Sequence, residues 1–459
     1  MVVYHKCDFA KILQNGGSFM LLEFKVKNYK SFKDECVFSM TPAPKQKDLN
    51  YSILSEKIGK EEYKGLCSAV IYGPNASGKT NIIGAMESFK QIVLRGNIRN
   101  VETKNSPNAA SNALELIPNN TLLNTEPVNF SITFTHKDLL FNYTISLDLG
   151  SFLEADYQRK VLKETLSVNN VMLFIRSDDL EIGDLGGIES YLVPAYMQNA
   201  KGAVALATSS LHDEELFLAN GFKTMFSAKL ASMISEWLDK EFIVIYKSDS
   251  MQLVRKFSDP KNKSIYIEKT LNEAAALFGI NSNALGYVLD GESEEAQLCS
   301  MFNGDAKQTA IPVKLFESYG TIRFINLFPL VLRALRQGGI LIVDEFDASI
   351  HPMALMNIIT LFHNDELNIY NAQLVFNTHN PIFLNSNLFR RDEIKFVDRD
   401  ESTHCSTHYS LSDFGTAGAK GVRKSDDYMK NYFVDRYGAI KSIDLAPIIQ
   451  KLIDNKNEE

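Results

Sequence analysis

Cysteine is scarce in this chain of 459 residues: there are five, Cys7, Cys36, Cys67, Cys299 and Cys405, each isolated and none in a C-x-x-C pair. An odd, dispersed set argues against a disulfide framework and against a zinc site, and it fits a reducing cytoplasm. No apolar run approaches the ~20 residues that cross a bilayer, so no membrane partner is expected. The opening Met1-Val2-Val3-Tyr4-His5-Lys6-Cys7-Asp8 lacks the apolar core of a signal peptide. Sustained heptads are missing, which excludes a long coiled coil, and there is no internal repeat or low-complexity tract. Excess positive charge is missing too. The net charge of −8 does not mark a nucleic-acid binder by bulk charge, although a local basic groove offset elsewhere leaves DNA open as a partner.

Hydrophobic residues make up 45% and charged residues 23%, ordinary for a soluble globular protein. The length suits two or three domains, or one domain with a large insertion. Period-2 alternation begins at Met20-Leu21-Leu22-Glu23-Phe24-Lys25-Val26 and predicts a strand. Met20 is a candidate start, with the preceding segment a loosely attached extension. Cys36–Met40 predicts a second strand, antiparallel to the first. Residues 105–127, rich in Asn, Pro, Ser and Thr, read as a loop. Val128–Phe134 and Phe141–Leu147 predict a hairpin turning at His136-Lys137-Asp138. From Glu214 to Leu238 apolar residues recur at spacings of three and four, which predicts amphipathic helices broken near Asn220-Gly221. Residues 266–279 look similar.

The most informative motif is Gly73-Pro74-Asn75-Ala76-Ser77-Gly78-Lys79-Thr80, of the form G-x-x-x-x-G-K-T. It lies between the apolar run Ala69–Tyr72 and a helix-like segment opening with Asn81, the strand–loop–helix context that a phosphate-binding loop needs. The glycines let backbone N–H groups converge on phosphate oxygens at a helix start. Lys79 can reach the β- and γ-phosphates, and the Thr80 hydroxyl can hold Mg²⁺. Gly339–Val343 is a continuous apolar run ending in Asp344-Glu345, the mark of a buried parallel strand with carboxylates at its tip. Asp344 is a candidate Mg²⁺ ligand and Glu345 a candidate general base. A second apolar run, Leu374–Phe376, leads to His379, which can bond the γ-phosphate or the attacking water. Upstream, Ser318-Tyr319-Gly320-Thr321 opens a helix that closes at Gly338-Gly339. It is either another anion site or a plain N-cap.

Together these motifs resemble the ABC-type ATPases, within the clade of RecF, the SMC-like repair ATPases and the OLD-type ATPases. Leu22–Phe32 is similar to that clade's opening strand and N-F-R-S-F turn. Gly73–Thr80 is similar to its Walker A loop and Ser318–Thr321 to its signature. Asp344 and Glu345 match Walker B and the catalytic glutamate, Asp347 the D-loop and His379 the switch histidine. Arg391–Val397, Tyr409–Phe414, Val422-Arg423-Lys424 and Arg436-Tyr437-Gly438 resemble the close of stand-alone AAA-15-type members. The signature departs from L-S-G-G-Q, and no Q-loop glutamine is placed. The resemblance implies an α/β head with a mixed central sheet, an antiparallel β arm and an inserted helical lobe. The expected divisions are an extension over 1–19, an N-terminal half of the head over 20–190, a mainly helical insertion over 191–310 and a C-terminal half over 311–459.

The resemblance further implies ATP and Mg²⁺ as cofactors and a shared site. One subunit supplies the loop from Gly73 through Asn75, Ala76, Ser77 and Gly78 to Lys79, Thr80 and Asn81, with Asp344, Glu345, Asp347 and His379; the other supplies Ser318 and Gly320. At least a dimer of heads is expected, joined by ATP and released by hydrolysis. The long stretch between Lys79 and Asp344 and the shortened signature disfavour transport. No intrinsic nuclease is expected. Too few residues follow His379 for a Toprim domain, and the D-x-D at Asp398 and the R-x₄-H from Arg399 to His404 both fall in a strand–turn–strand hairpin around Asp400. Similar stand-alone ATPases, the PARIS ATPase subunit among them, belong to anti-phage or abortive-infection systems beside a separate effector such as a nuclease or toxin. A RecF-like DNA-repair clamp and a nucleotide-locked scaffold with incidental hydrolysis are the alternatives.

Overall fold

The computed structural model describes residues 19–451 other than 45, 47–48, 100–113, 122–124, 153, 155–156, 184, 248–254, 257–263, 267–268, 278, 280–283, 290–294, 304–307, 419–420, 442–443 and 448. The expected N-terminal extension lies outside the described residues, except Phe19, which begins the first strand.

Strand β1 (Phe19–Lys27) pairs antiparallel with β2 (Cys36–Ser39). A hairpin of β3 (Ile53–Ile58) and β4 (Glu61–Leu66) follows, then β5 (Ser68–Tyr72), buried along its whole length, and helix α1 (Lys79–Arg95). Strands β6 (Val128–His136), β7 (Leu139–Asp148), β8 (Lys160–Val168), β9 (Val171–Arg176) and β10 (Leu180–Ile182) extend the other edge of β1. The result is a seven-stranded antiparallel sheet in the order β10-β9-β8-β7-β6-β1-β2. Its alternation buries Phe130, Ile132 and Phe134 beside Tyr143, Ile145 and Leu147. Lys137 and Asp138 both take positive φ, the conformation of a two-residue hairpin turn.

Short helices α2 (Pro194–Gln198), α3 (Ala200–Ser210), α4 (Phe217–Asn220) and α5 (Ala228–Glu236) come next. The apolar residues that predicted helices between Glu214 and Leu238 are buried, and Trp237 stacks on Phe134 of the arm sheet. The break falls at Gly221, as the sequence predicts. Beyond β11 (Phe242–Ile245) the expectation of a mainly helical insertion to residue 310 gives way. Strands β12 (Arg255–Lys256), β13 (Ser264–Tyr266), β14 (Ala284–Leu289), β15 (Glu295–Asn303) and β16 (Gln308–Pro312) form a five-stranded antiparallel sheet, and α6 (Lys269–Leu277) is the helix within that stretch. The physical reason is burial without alternation: Leu285, Gly286 and Tyr287 are all buried, as are Cys299, Ser300 and Met301, so these short segments are covered on both faces as strands rather than along one helical stripe.

After α7 (Val313–Phe316) and α8 (Tyr319–Gln337) come β17 (Ile340–Val343), α9 (Pro352–Phe362), β18 (Gln373–Asn377), β19 (Ile394–Arg399), β20 (Ser406–Ser410) and α10 (Tyr428–Phe433). The second large sheet runs β11-β17-β18-β5-β19-β20; all its pairings are parallel except β19 with β20, so it is mixed. Strands distant in sequence thus deliver their C-terminal tips to one edge. At the other end, the buried Gln373 amide ties this sheet to β1. Gln373 Oε1 accepts the Leu21 N–H at 2.6 Å, and its Nε2 donates to the carbonyls of Leu21 (3.1 Å) and Leu66 (2.8 Å), beside a register shift in β1. Gln373→Leu should leave these three backbone groups buried without partners and cost about 2–4 kcal/mol. The check is a lower midpoint for the first unfolding transition in denaturant; an unchanged midpoint would show that the amide is dispensable.

Candidate nucleotide-binding site

The loop from Gly73 to Lys79 leaves the tip of β5 and enters α1. Gly73 (φ 157°), Ala76 (φ 62°) and Gly78 (φ 112°) all take conformations that favour glycine, so the chain reverses within one turn. Asn75 and Ala76 are exposed at the crest, while Ser77, Gly78 and Lys79 are buried. A Cβ on Gly73 would lie 2.2 Å from the Val397 carbonyl oxygen, and one on Gly78 2.7 Å from the Ser31 and Ser406 hydroxyls. Both glycines are therefore needed for the loop to seat against its backing. That backing comes from the two ends of the chain. Ser406 donates to the Ser77 carbonyl (2.5 Å) and its N–H to the Ser31 carbonyl (2.7 Å), Asn81 Nδ2 donates to Ser31 Oγ (2.7 Å), and Arg399 Nη1 donates to the Ala76 carbonyl (3.2 Å).

The Lys79 ammonium donates to the carbonyls of Gly73 (2.8 Å) and Pro74 (3.0 Å). Burial pulls its pKa down to about 8, against the pull of Asp344, Glu345 and Asp347 in the other direction. Thr80 Oγ1 donates to Asp344 Oδ1 at 3.0 Å, so the loop and the acidic strand meet as the sequence predicts. Asp344 is buried, with Oδ1 also receiving Asn377 Nδ2 (2.5 Å) and Oδ2 receiving the Lys247 N–H (3.3 Å). Glu345 is half-buried in the left-handed region (φ 52°), a costly conformation for a side-chain-bearing residue. Two neighbours hold it there: its N–H donates to Asn377 Oδ1 (2.5 Å), and its carbonyl accepts Arg323 Nη2 from α8. His379 is exposed just past β18. Partial burial, then the Lys79 charge, lowers its pKa below the usual value, while Asp347 and Asp344 act in opposition. The shift favours the neutral imidazole, which can share a hydrogen bond as donor or acceptor.

Ser318 and Gly320 stand apart from this group. Ser318 caps α8, accepting the Thr321 N–H at 3.1 Å, and makes no hydrogen bond to the loop among the described residues. Gly320 packs on the turn that follows Asp347: a Cβ there would lie 2.2 Å from the Ser349 carbonyl oxygen.

Sequence reading missed Asn377, Arg323, Tyr246, Lys247 and Glu115. Strand β11 runs parallel to β17 with Ile245 beside Val343, which places Tyr246 and Lys247 next to Asp344. Glu115 gathers Lys30 (2.5 Å), the Tyr246 hydroxyl (2.7 Å) and Lys247. Burial works against its charge, but these three donors prevail and hold the carboxyl at about 2. Asn377 was detectable, since it ends an apolar run as Asp344 does. The Glu115 cluster was not, because its members come from three distant segments.

The arrangement fits a magnesium-bound triphosphate. The buried Ser77 hydroxyl has no hydrogen-bond partner among the described residues, Thr80 and Asp344 form the hard-oxygen pair that suits Mg²⁺, and Lys79 and His379 both feel the Asp344 and Asp347 carboxylates. No helix among the described residues is long and apolar enough to cross a membrane.

Among solved structures, the SMC head domain from Thermotoga maritima matches with 12% identity and a TM-score of 0.34, over 85% of this chain and 98% of that one. No curated protein matches. The family described as "AAA domain, putative AbiEii toxin, Type IV TA system" matches residues 68–385, from the first residue of β5 past His379, and the chain belongs to that AAA-domain family.

Proposed function

We propose that this protein binds and hydrolyses ATP in a site completed by a second copy, and that the ATP-joined pair gates a separate effector in anti-phage defence. The contact between Thr80 and Asp344, with Lys79 and Glu345 beside it, carries the ATPase part of this reading. When bound, Mg²⁺ neutralises charge on the phosphates. Lys79 and the loop N–H groups orient the γ-phosphate, Glu345 takes the proton of the attacking water, and His379 shares a hydrogen bond with the phosphate or that water. The pairing is supported by the exposed apolar side chains around Ser318 and the Ser349 turn. Leu315 is 81% exposed, and Phe316, Tyr319 and Met353 are exposed as well. They border the anion-competent start of α8, which Ser318 caps. The family description supports the defence setting.

Glu345→Gln should bind ATP without turnover and run as a dimer with ATP and as a monomer without it, measured by light scattering. Adding Leu315→Asp should return it to the monomer. Full hydrolysis by a strict monomer would overturn the shared site. Stimulation by duplex DNA, lost at raised salt, would instead favour a DNA clamp.

Arg323 acts as a positioning residue for Glu345. Arg323→Met, which keeps the apolar stem, should lower kcat by about 10- to 100-fold with little change in ATP affinity, and Arg323→Lys should recover part of it. Equal loss of affinity and rate would point to a general structural role.

Lys79 makes nucleotide binding pH-dependent. Its folded pKa of about 8 lies below the ordinary 10.5, and a bound triphosphate should raise it again. ATP binding should take up about 0.1 proton at pH 7 and most of one proton at pH 9, so affinity falls as pH rises through this window. Calorimetry in buffers of different ionisation enthalpy reads the uptake directly, and Lys79→Ala should abolish it.

A further inference from the structure

At the end of β5 opposite the phosphate loop, polar side chains from distant parts of the chain are sealed in the core. Cys67 and Ser68 lead into β5, His363 follows α9 and Glu393 precedes β19; His363 is 6% exposed and the other three are 0%. Their donor atoms converge. Cys67 Sγ lies 3.9 Å and His363 Nε2 3.4 Å from Glu393 Oε1, and the thiol, imidazole and carboxylate donors lie within 4.8 Å of one another. The Ser68 hydroxyl donates to Glu393 Oε1 (2.6 Å) and lies 2.9 Å from His363 Nε2, while the other Glu393 oxygen accepts the Arg390 N–H (2.7 Å). The Ser52 hydroxyl, also fully buried, sits beside the Cys67 thiol and makes no hydrogen bond of ordinary geometry.

We propose that Cys67, His363 and Glu393 bind a zinc ion that joins the two halves of the chain. The charge balance suits a divalent cation: a thiolate, a carboxylate and a neutral imidazole around Zn²⁺ sum to zero, which a sealed core requires. The donor set suits zinc over magnesium, because thiolate and imidazole are poor ligands for a hard cation. The spacing is close to what is needed. With Zn–S near 2.3 Å and Zn–N or Zn–O near 2.0–2.2 Å, tetrahedral ligands stand about 3.3–3.6 Å apart; the His363–Glu393 separation of 3.4 Å already fits, the Cys67–Glu393 separation of 3.9 Å is slightly long, and the thiol and imidazole, within 4.8 Å of each other, close on the ion by side-chain rotation. Ser68 and the Arg390 N–H already orient the carboxylate, as outer partners of metal ligands do. The fourth position falls to water or to the neighbouring Ser52 hydroxyl. Isolated cysteines argued against zinc along the sequence, but the donors come from positions 67, 363 and 393, a spacing that no linear motif displays. The rival arrangement is a metal-free pair of His363 and Glu393 bridged by the Ser68 hydroxyl beside a thiol.

The full chain, purified without a polyhistidine tag from zinc-supplemented cells, should carry about one zinc per chain by mass spectrometry of the metal. Cys67→Ser, nearly isosteric, and His363→Gln should each lower that at least tenfold. Cobalt substitution should give an intense tetrahedral visible spectrum with a thiolate charge-transfer band, and Cys67→Ser should remove that band. Chelation should lower the melting midpoint of the wild type and leave that of Cys67→Ser unchanged. A wild-type chain with under a tenth of an equivalent of metal and no cobalt thiolate band would establish the metal-free pair. Full zinc occupancy in both variants would place the metal elsewhere, and either result overturns the proposal.

Discussion

The Asn377 side chain holds together the tips of the catalytic sheet. Its amide donates to the Asp344 carboxylate and accepts the Glu345 N–H, while its backbone carbonyl accepts the Phe346 N–H. One residue thereby sets the direction of the acidic side chain that pairs with Thr80 and the unusual backbone of the residue after it. This requires β17 and β18 to run parallel and in register, with Val343 beside Phe376, and β18 to continue its pairing with β5 through Asn377 and Ile71. A slip of one residue would turn Asn377 to the other face of the sheet and leave Asp344 and the Glu345 N–H without it. The polar ends of β18 resist such a slip, because it would also pull the buried Gln373 amide from Leu21 and Leu66.

The phosphate loop depends on residues far from it in the chain. Ser31 follows the opening strand, and Val397, Arg399 and Ser406 belong to the β19–β20 hairpin, yet all four press on residues 73–81. This gives the acidic and basic residues of the hairpin a structural task. Arg399 donates to the His404 carbonyl as well as to Ala76, and Asp400 accepts from the N–H and hydroxyl groups of Ser402 and Thr403 within the turn. Those side chains are spent on turn and loop geometry, within the strand–turn–strand hairpin that the sequence predicts there. Backing of this kind keeps the loop pre-shaped, so that less ordering accompanies phosphate binding.

How much was legible in the sequence follows from where each contact lies. The loop, Asp344-Glu345 and His379 were readable because each ends a contiguous apolar run, and burial of a parallel strand leaves that trace in sequence. The meander β6–β7 and the helices around Phe222 and Trp237 were readable from clear periods of two and near four. The β14–β15 sheet was not, since Ala284–Leu289 and Leu298–Phe302 are short, nearly continuous apolar runs whose period does not separate strand from helix. Arg323 reads as an ordinary helical cation until α8 is laid against the acidic turn, and Lys30, Lys247 and Glu115 become a cluster only when three segments converge.

Helix α8 links the two kinds of site element within one subunit. Its N-cap Ser318 and Gly320 form the start that a partner's nucleotide would meet in the proposed pair. One turn on, Arg323 holds the Glu345 carbonyl, and Gly320 itself abuts Ser349 beyond the acidic turn. A shift of the helix start cannot be absorbed between these contacts. The Gly320–Ser349 approach has no spare room, and the guanidinium is buried against two consecutive carbonyls, Asp344 and Glu345. Displacement of Ser318 must therefore move Glu345, whose left-handed backbone persists only while Arg323 and Asn377 both hold it. In a pair of heads, the nucleotide seated on one subunit would then set the geometry of the general base in the other. Two sites linked in this way favour joint over independent turnover, because each catalytic turn is braced from the far side of the interface.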